Sequence, residues 1–157
     1  SEISNFALKS NLENLGACLI ETPVGDRFIV DYVHSEKALF GFEPSGHFFF
    51  PNLNSSMDGF ATFLMFISLV ESRGELFEKD LLKLKHYKRE SIDLNINDVD
   101  QDLLNKLIYR INKLIDNENE KIVIRKSMWD PVIRVKYDYR NNNNFDNILN
   151  EIKNFLY

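Results

Sequence analysis

The chain has 157 residues, enough for one domain or two small ones, and its 44% hydrophobic and 13% aromatic content is ample for a core. A net charge of −5 argues against nonspecific nucleic-acid binding, which needs a basic face to neutralise phosphates, and it implies no acidic partner. The longest apolar run, Phe60 to Val70, is well short of the ~20 residues of a membrane helix, and the N-terminus lacks a basic-then-apolar signal pattern, so a cytoplasmic protein is expected. Cys18 is the single cysteine. It permits no disulfide framework and is expected as a small buried hydrophobe. The Asn-Ser-Ser triplet at Asn54 is discounted as a chance glycosylation signal.

In chain order, Phe6, Leu8, Leu12 and Leu15 recur at helical spacing with Gly16 placed as a C-terminal cap, and "ACLIE" then reads as a strand. "EKALFGF" and "HFFF" read as two further short strands. Asp58 is a plausible N-cap for a helix running to about Ser72. That helix is apolar nearly all round, which predicts burial between layers and favours a mixed α/β sandwich. All six glycines and three of four prolines precede residue 75, so a boundary is expected near Gly74, giving parts 1–75 and 76–157. Beyond it, "ESIDLNI", "KIVIR" and "PVIRVKYDY" have strand patterns. Leu103, Leu107, Ile111, Leu114 and Ile115 form a helical stripe behind the acids of "NDVDQD", and Phe145, Ile148, Leu149, Ile152 and Phe155 mark a closing helix. The pattern is α+β with an antiparallel sheet, and the run Asn141 to Asn144 is a polar turn.

Asp98, Asp100 and Asp102 have the spacing that opens a calcium loop. Leu103 and Tyr109 occupy the positions of its required glycine and bidentate acid, so helix-start acids are the better reading. No phosphate-binding glycine fingerprint, nucleophile elbow or zinc spacing occurs, which leaves three stretches. In "FGFEPSGHFFF", Glu43, Ser45 and His47 alternate; on an extended strand they share a face suited to gripping vicinal sugar hydroxyls, each of which donates and accepts. A polar turn capping a hairpin accounts for them as well. In "RKSMWDPVIRV", Arg125, Lys126 and Arg134 surround a serine and a proline turn and can form an anion clamp. Exposed cations at a sheet edge are the stronger reading from the residues alone. "ETPVGDRFI" lies upstream.

In this order, "ETPVGDRFI", "FGFEPSGHFFF", "DGFATFL" and "IRKSMWDPVIRV" resemble the C-terminal half of the α-D-phosphohexomutases, the family of phosphomannomutase, phosphoglucomutase and phosphoglucosamine mutase. Glu43, Ser45, Gly46 and His47 match the family's sugar-binding Gly-Glu-x-Ser-Gly-His, with Phe42 in place of the first glycine. Arg125, Ser127, Pro131 and Arg134 match its Arg-x-Ser-Gly-Thr-Glu-Pro and Ile-Arg-Val phosphate loop, while Met128, Trp129 and Asp130 replace glycine, threonine and glutamate. Met and Trp remove a close backbone approach and a hydroxyl donor, so a weakened or rearranged phosphate grip is expected. Arg27 falls where the family has a basic residue near the ligand, and Asp26 serves that turn.

The resemblance covers roughly Ser4 to Leu156 but only the latter part of an intact mutase. It implies an α/β plus α+β chain: a truncated three-layer α/β sugar-binding domain, then a small domain with an antiparallel sheet and helices on one face. It also implies a hexose phosphate ligand, with Glu43, Ser45 and His47 on the sugar, Arg27 as a contact near the ligand, and Arg125, Ser127 and Arg134 on the non-transferred phosphate. The phosphoserine loop and the magnesium loop lie in parts not matched here, so no catalytic residue, metal ligand or activity is expected of this chain alone. "NFALKS" resembles the second helix of its domain. An exposed sheet edge results, which the missing N-terminal domains or a partner chain would cover. The other reading is a non-catalytic sugar-phosphate-binding or assembly module derived from a mutase.

Overall fold

The computed structural model describes residues 1–96, 99–127, 130–141 and 143–156. They form two compact units, Ser1–Ser4 with Leu8–Lys85, and Asn5–Ala7 with His86–Tyr157.

The first unit contains most of α1 (Phe6–Asn14), then α2 (Asp26–Ser35), a hairpin of β1 (Gly41–Phe42) and β2 (Phe48–Phe49), α3 (Gly59–Arg73) and α4 (Leu76–Leu82). α1 ends as its spacing predicts, with Gly16 at φ 73°, a left-handed conformation that glycine adopts without penalty. α2 brings Ile29 and Val33, one turn apart, onto Phe49, and these three form the unit's buried cluster. Gly41 is what lets the hairpin lie on that helix. A Cβ there would stand 2.3 Å from Ile29 Cγ2 and 2.7 Å from Val33 Cγ2. On the opposite hairpin face Phe40, Phe42, Phe48 and Phe50 stack as a two-by-two array, with ring centroids 5.5–6.5 Å apart.

Four expectations are corrected here. "ACLIE" is not a strand, because β1 and β2 pair only with each other and Ala17–Glu21 has no ladder partner. Of "EKALFGF" only Gly41–Phe42 pairs, since α2 runs to Ser35, Glu36 caps it and Lys37 turns the chain at φ 52°. Cys18 is exposed, lying in that unpaired segment. α3 has the expected Asp58 cap, whose carboxylate accepts from Ala61 N–H at 2.9 Å, yet it buries no residue, and Phe60 is 72% exposed. A helix apolar all round needs cover on several sides, and among the described residues the main partner of α3 is α4, through Phe66 edge-on to Phe77 and Arg73 paired with Asp80. No described helix is long and apolar enough to cross a membrane.

The second unit follows its pattern closely. β3 (Lys88–Asn95), β4 (Glu120–Lys126) and β5 (Val132–Tyr139) form an antiparallel sheet in the order β3-β5-β4, with α5 (Gln101–Asn112) and α6 (Phe145–Leu156). Leu107, Ile111, Ile148 and Ile152 from the helices bury against Ile124, Ile133, Val135 and Tyr137 from the strands. Leu114 and Ile115 of the expected stripe lie past the end of α5. Asp98 of the calcium reading, Met128, Trp129 and Asn142 fall outside the described residues.

Odd positions of β5 face this core, so even ones face away, and among them Asp138 is only 2% exposed. It accepts from Arg89 Nε at 2.6 Å and Nη2 at 2.8 Å, from Phe6 N–H at 2.8 Å and from the Asn5 amide at 3.3 Å. Asp138→Asn leaves the Arg89 charge without its counter-ion and is expected to destabilise the second unit by roughly 3–5 kcal/mol. Gly41→Ala forces a methyl into Ile29 and Val33 and is expected to cost the first unit about 1–3 kcal/mol. Urea unfolding followed by circular dichroism checks both, and a midpoint unchanged by either substitution contradicts the corresponding contact.

Candidate functional site

Glu43, Ser45 and His47 sit between β1 and β2. They are not on an extended strand: residues 43–47 form the turn of the hairpin, closed by Glu43 N–H donating to His47 O at 2.9 Å and Gly46 N–H donating to Glu43 O at 3.0 Å, with Gly46 at φ 91°. The turn, rather than strand alternation, brings the three side chains together. Phe42, in the place of the family's glycine, belongs to the aromatic array, stacked on Phe40 and Phe48.

Glu43 is 7% exposed, and both its oxygens are used within the fold. Oε1 accepts from Gly25 N–H at 2.8 Å, and Oε2 accepts from Ser45 Oγ at 3.1 Å. Ser45 Oγ also lies 3.0 Å from His47 Nδ1. A hydroxyl has one hydrogen. Given to Glu43, it leaves Oγ to accept from His47 Nδ1–H, so the neutral ring presents Nε2 outward as an acceptor and the protonated ring presents it as a donor. Glu43 thus orients the turn, and Ser45 and His47, both exposed, are the groups it presents.

The partner that sequence reasoning missed is Gly25. It precedes α2, and its N–H, free of any helix bond, anchors Glu43. Its signal was the Gly-Asp start of "GDRFIVDYV", where Ile29 and Val33 have helical spacing. Arg27, in the first turn of α2, has a 90% exposed side chain and lies 3.7 Å from Asp31.

The remaining site residues lie in the second unit. Arg125 on β4 stands directly across from Arg134 on β5. Ser127 is buried, its N–H donating to Val132 O at 2.9 Å and its Oγ exchanging 3.3 Å contacts with the Asp130 carboxylate and N–H, which closes the connection from β4 to β5. Arg134 donates to Asp130 at 3.1 Å, and its Nε lies 3.4 Å from Asp93 without hydrogen-bond alignment. Asp130 therefore does locally what a structural acid does, bracing both Ser127 and Arg134. Arg125 Nε is buried with no hydrogen-bond partner. Lys126, the third cation of the expected clamp, instead donates its ammonium to Val99 O at 3.2 Å.

Glu43, Ser45 and His47 are thus brought together in one unit, and Arg125, Ser127 and Arg134 in the other. Among the described residues no group of three His, Cys, Asp or Glu side chains could hold a metal ion.

The family profile described as phosphoglucomutase/phosphomannomutase, alpha/beta/alpha domain III, matches residues 2–87. Among curated relatives, the phosphoglucosamine mutase of Anoxybacillus flavithermus is 26% identical over 136 residues, covering 85% of this chain and 30% of that protein. The phosphoglucosamine mutase of Pelotomaculum thermopropionicum is 25% identical over 158 residues, covering 98% of this chain and 35% of that protein. That of Macrococcus caseolyticus is 23% identical over 157 residues, with the same coverage. The chain therefore spans about a third of the length of the relatives it matches.

Glu43→Ala leaves the Gly25 N–H and the Ser45 hydroxyl without their acceptor. It is expected to destabilise the first unit by about 1–3 kcal/mol, read as a lower urea midpoint, with Ser45→Ala costing less because Ser45 is exposed.

Proposed function

The chain belongs to the phosphoglucomutase/phosphomannomutase family, as a C-terminal part of it, and on that premise we propose that it is the ligand-holding portion of a phosphohexomutase. The intact enzyme interconverts hexose 1-phosphate and hexose 6-phosphate through a bisphosphorylated sugar. The first unit binds the sugar and the second unit the phosphate that is not being transferred. The observation that carries this reading is the hydrogen-bonded series Glu43, Ser45, His47 at the tip of a hairpin braced on α2, inside the stretch that the family profile matches.

In this reading the outward Ser45 hydroxyl and His47 Nε2 bind sugar hydroxyls, and Glu43 holds both in place while its charge polarises the series. Arg27 is the accessory cation beside the loop. In the second unit Arg125 supplies the phosphate grip, with Arg134 next to it and Ser127 fixing the loop between them. Positioning, rather than bond making, is the work of these residues. The phosphoryl donor and the magnesium site belong to other parts of the enzyme, so this chain alone turns nothing over.

Isothermal titration of the 157-residue chain with glucose 6-phosphate and glucosamine 6-phosphate tests the reading. Binding is expected, weakened about ten-fold or more by Arg125→Met and by His47→Ala, each of which removes a polar contact worth roughly 1–3 kcal/mol. Absence of heat with either sugar, or binding untouched by both substitutions, overturns it.

A further inference from the structure

We infer that Lys136 is a further cation of the anion site that Arg125 and Arg134 begin on the outer face of the second unit's sheet, where it contacts a bound phosphate group. This rests on the reading of those two arginines as the phosphate grip and adds a residue outside the motif that suggested it. Register puts Lys136 at the centre of a charged field. Arg134 and Asp138 flank it on its own strand, Ser91 and Val123 face it from β3 and β4, Arg89 and Asp93 are its diagonal neighbours on β3, and Lys121 and Arg125 are those on β4.

The acids in this field are already engaged. Asp138 takes Arg89 together with Phe6 and Asn5, Asp93 stands beside Arg134, and Asp130 from the loop bonds Arg134. Among the described residues Lys136 and Arg125, diagonal to each other, form no ion pair, and both are half-buried. Like charges held side by side store repulsion that an anion relieves. Burial first, then Arg89, Arg125 and Arg134, hold the Lys136 ammonium below the ordinary lysine value, against a smaller opposing pull from Asp138. A compact dianion with several acceptor oxygens fits two or three converging cations. A nucleic-acid backbone would need a broader basic surface, which a net charge of −5 disfavours.

Titration calorimetry on the 157-residue chain, with inorganic phosphate and with glucose 6-phosphate, tests this on wild type, Lys136→Met, Lys136→Arg and Arg125→Met. Lys136→Met is expected to weaken both ligands about ten-fold while keeping the thermal midpoint, since it removes a desolvated charge that has no partner. Lys136→Arg retains affinity to within a few-fold. Because the free ammonium has a depressed pKa, wild-type affinity falls as pH rises through the range below the ordinary lysine value, whereas an arginine stays charged and flattens the fall. Tyr137 does not titrate in that window, its hydroxyl being pushed up by burial beside Glu120. If Arg125→Met loses binding while Lys136→Met matches wild type in affinity and pH profile, Lys136 is a bystander and the phosphate reading stands without it. If wild type binds neither ligand, or Arg125→Met changes nothing, the phosphate reading falls and this inference falls with it.

Discussion

A buried carboxylate on a central strand organises the second unit. Asp138 is nearly inaccessible, and a bare carboxylate there would cost several kcal/mol, so β5 holds it only because Arg89 on β3, the Phe6 N–H and the Asn5 side-chain amide supply donors together. The pair also pins register. A one-residue slip of β3 against β5 would turn Arg89 toward the apolar core and leave Asp138 unpaired. The charged outer face follows from that alignment: Asp93 across from Arg134, Arg134 across from Arg125, and Lys136 between Arg89 and Arg125.

The first unit solves a different problem, how to hold a polar turn on a very short hairpin. Two-residue strands provide little ladder energy, so the hairpin is held by its faces. Gly41 and Phe49 seat one face on α2, and the stacked phenylalanines cover much of the other. The turn is then tied back to α2 by Gly25 N–H on Glu43. Bracing and exposure are thereby separated within the turn: Glu43 is buried, and Ser45 and His47 face solvent. Phe42 fits this scheme as one ring of the array.

Legibility differed between the units for a physical reason. α5, α6 and the three long strands each carry enough periodic apolar positions for the pattern to be self-sufficient, and Leu107, Ile111, Ile148 and Ile152 are buried as their spacing implies. α2 buries only Ile29 and Val33, one turn apart, too short an apolar stripe to stand out among its charged and polar neighbours. "ACLIE" has strand composition but no neighbour to pair with, and composition cannot supply one. α3 shows the same limit from the other side: an apolar sequence states a demand for cover, and only the surrounding fold meets it.

The amino-acid sequence by itself determined the caps, the amphipathic stripes, the alternation of β5 and the Glu-x-Ser-Gly-His and Ile-Arg-Val motifs, because each depends on residues within a few positions of one another. Tertiary structure decided what those residues do. Whether Glu43 is a free ligand or a buried brace depends on Gly25, eighteen positions away. Whether Arg125 and Lys136 are paired depends on which acids the strand register hands to Arg89 and Arg134. Charge and hydrogen-bond capacity are properties of the residue, but their availability is set by partners brought from far along the chain.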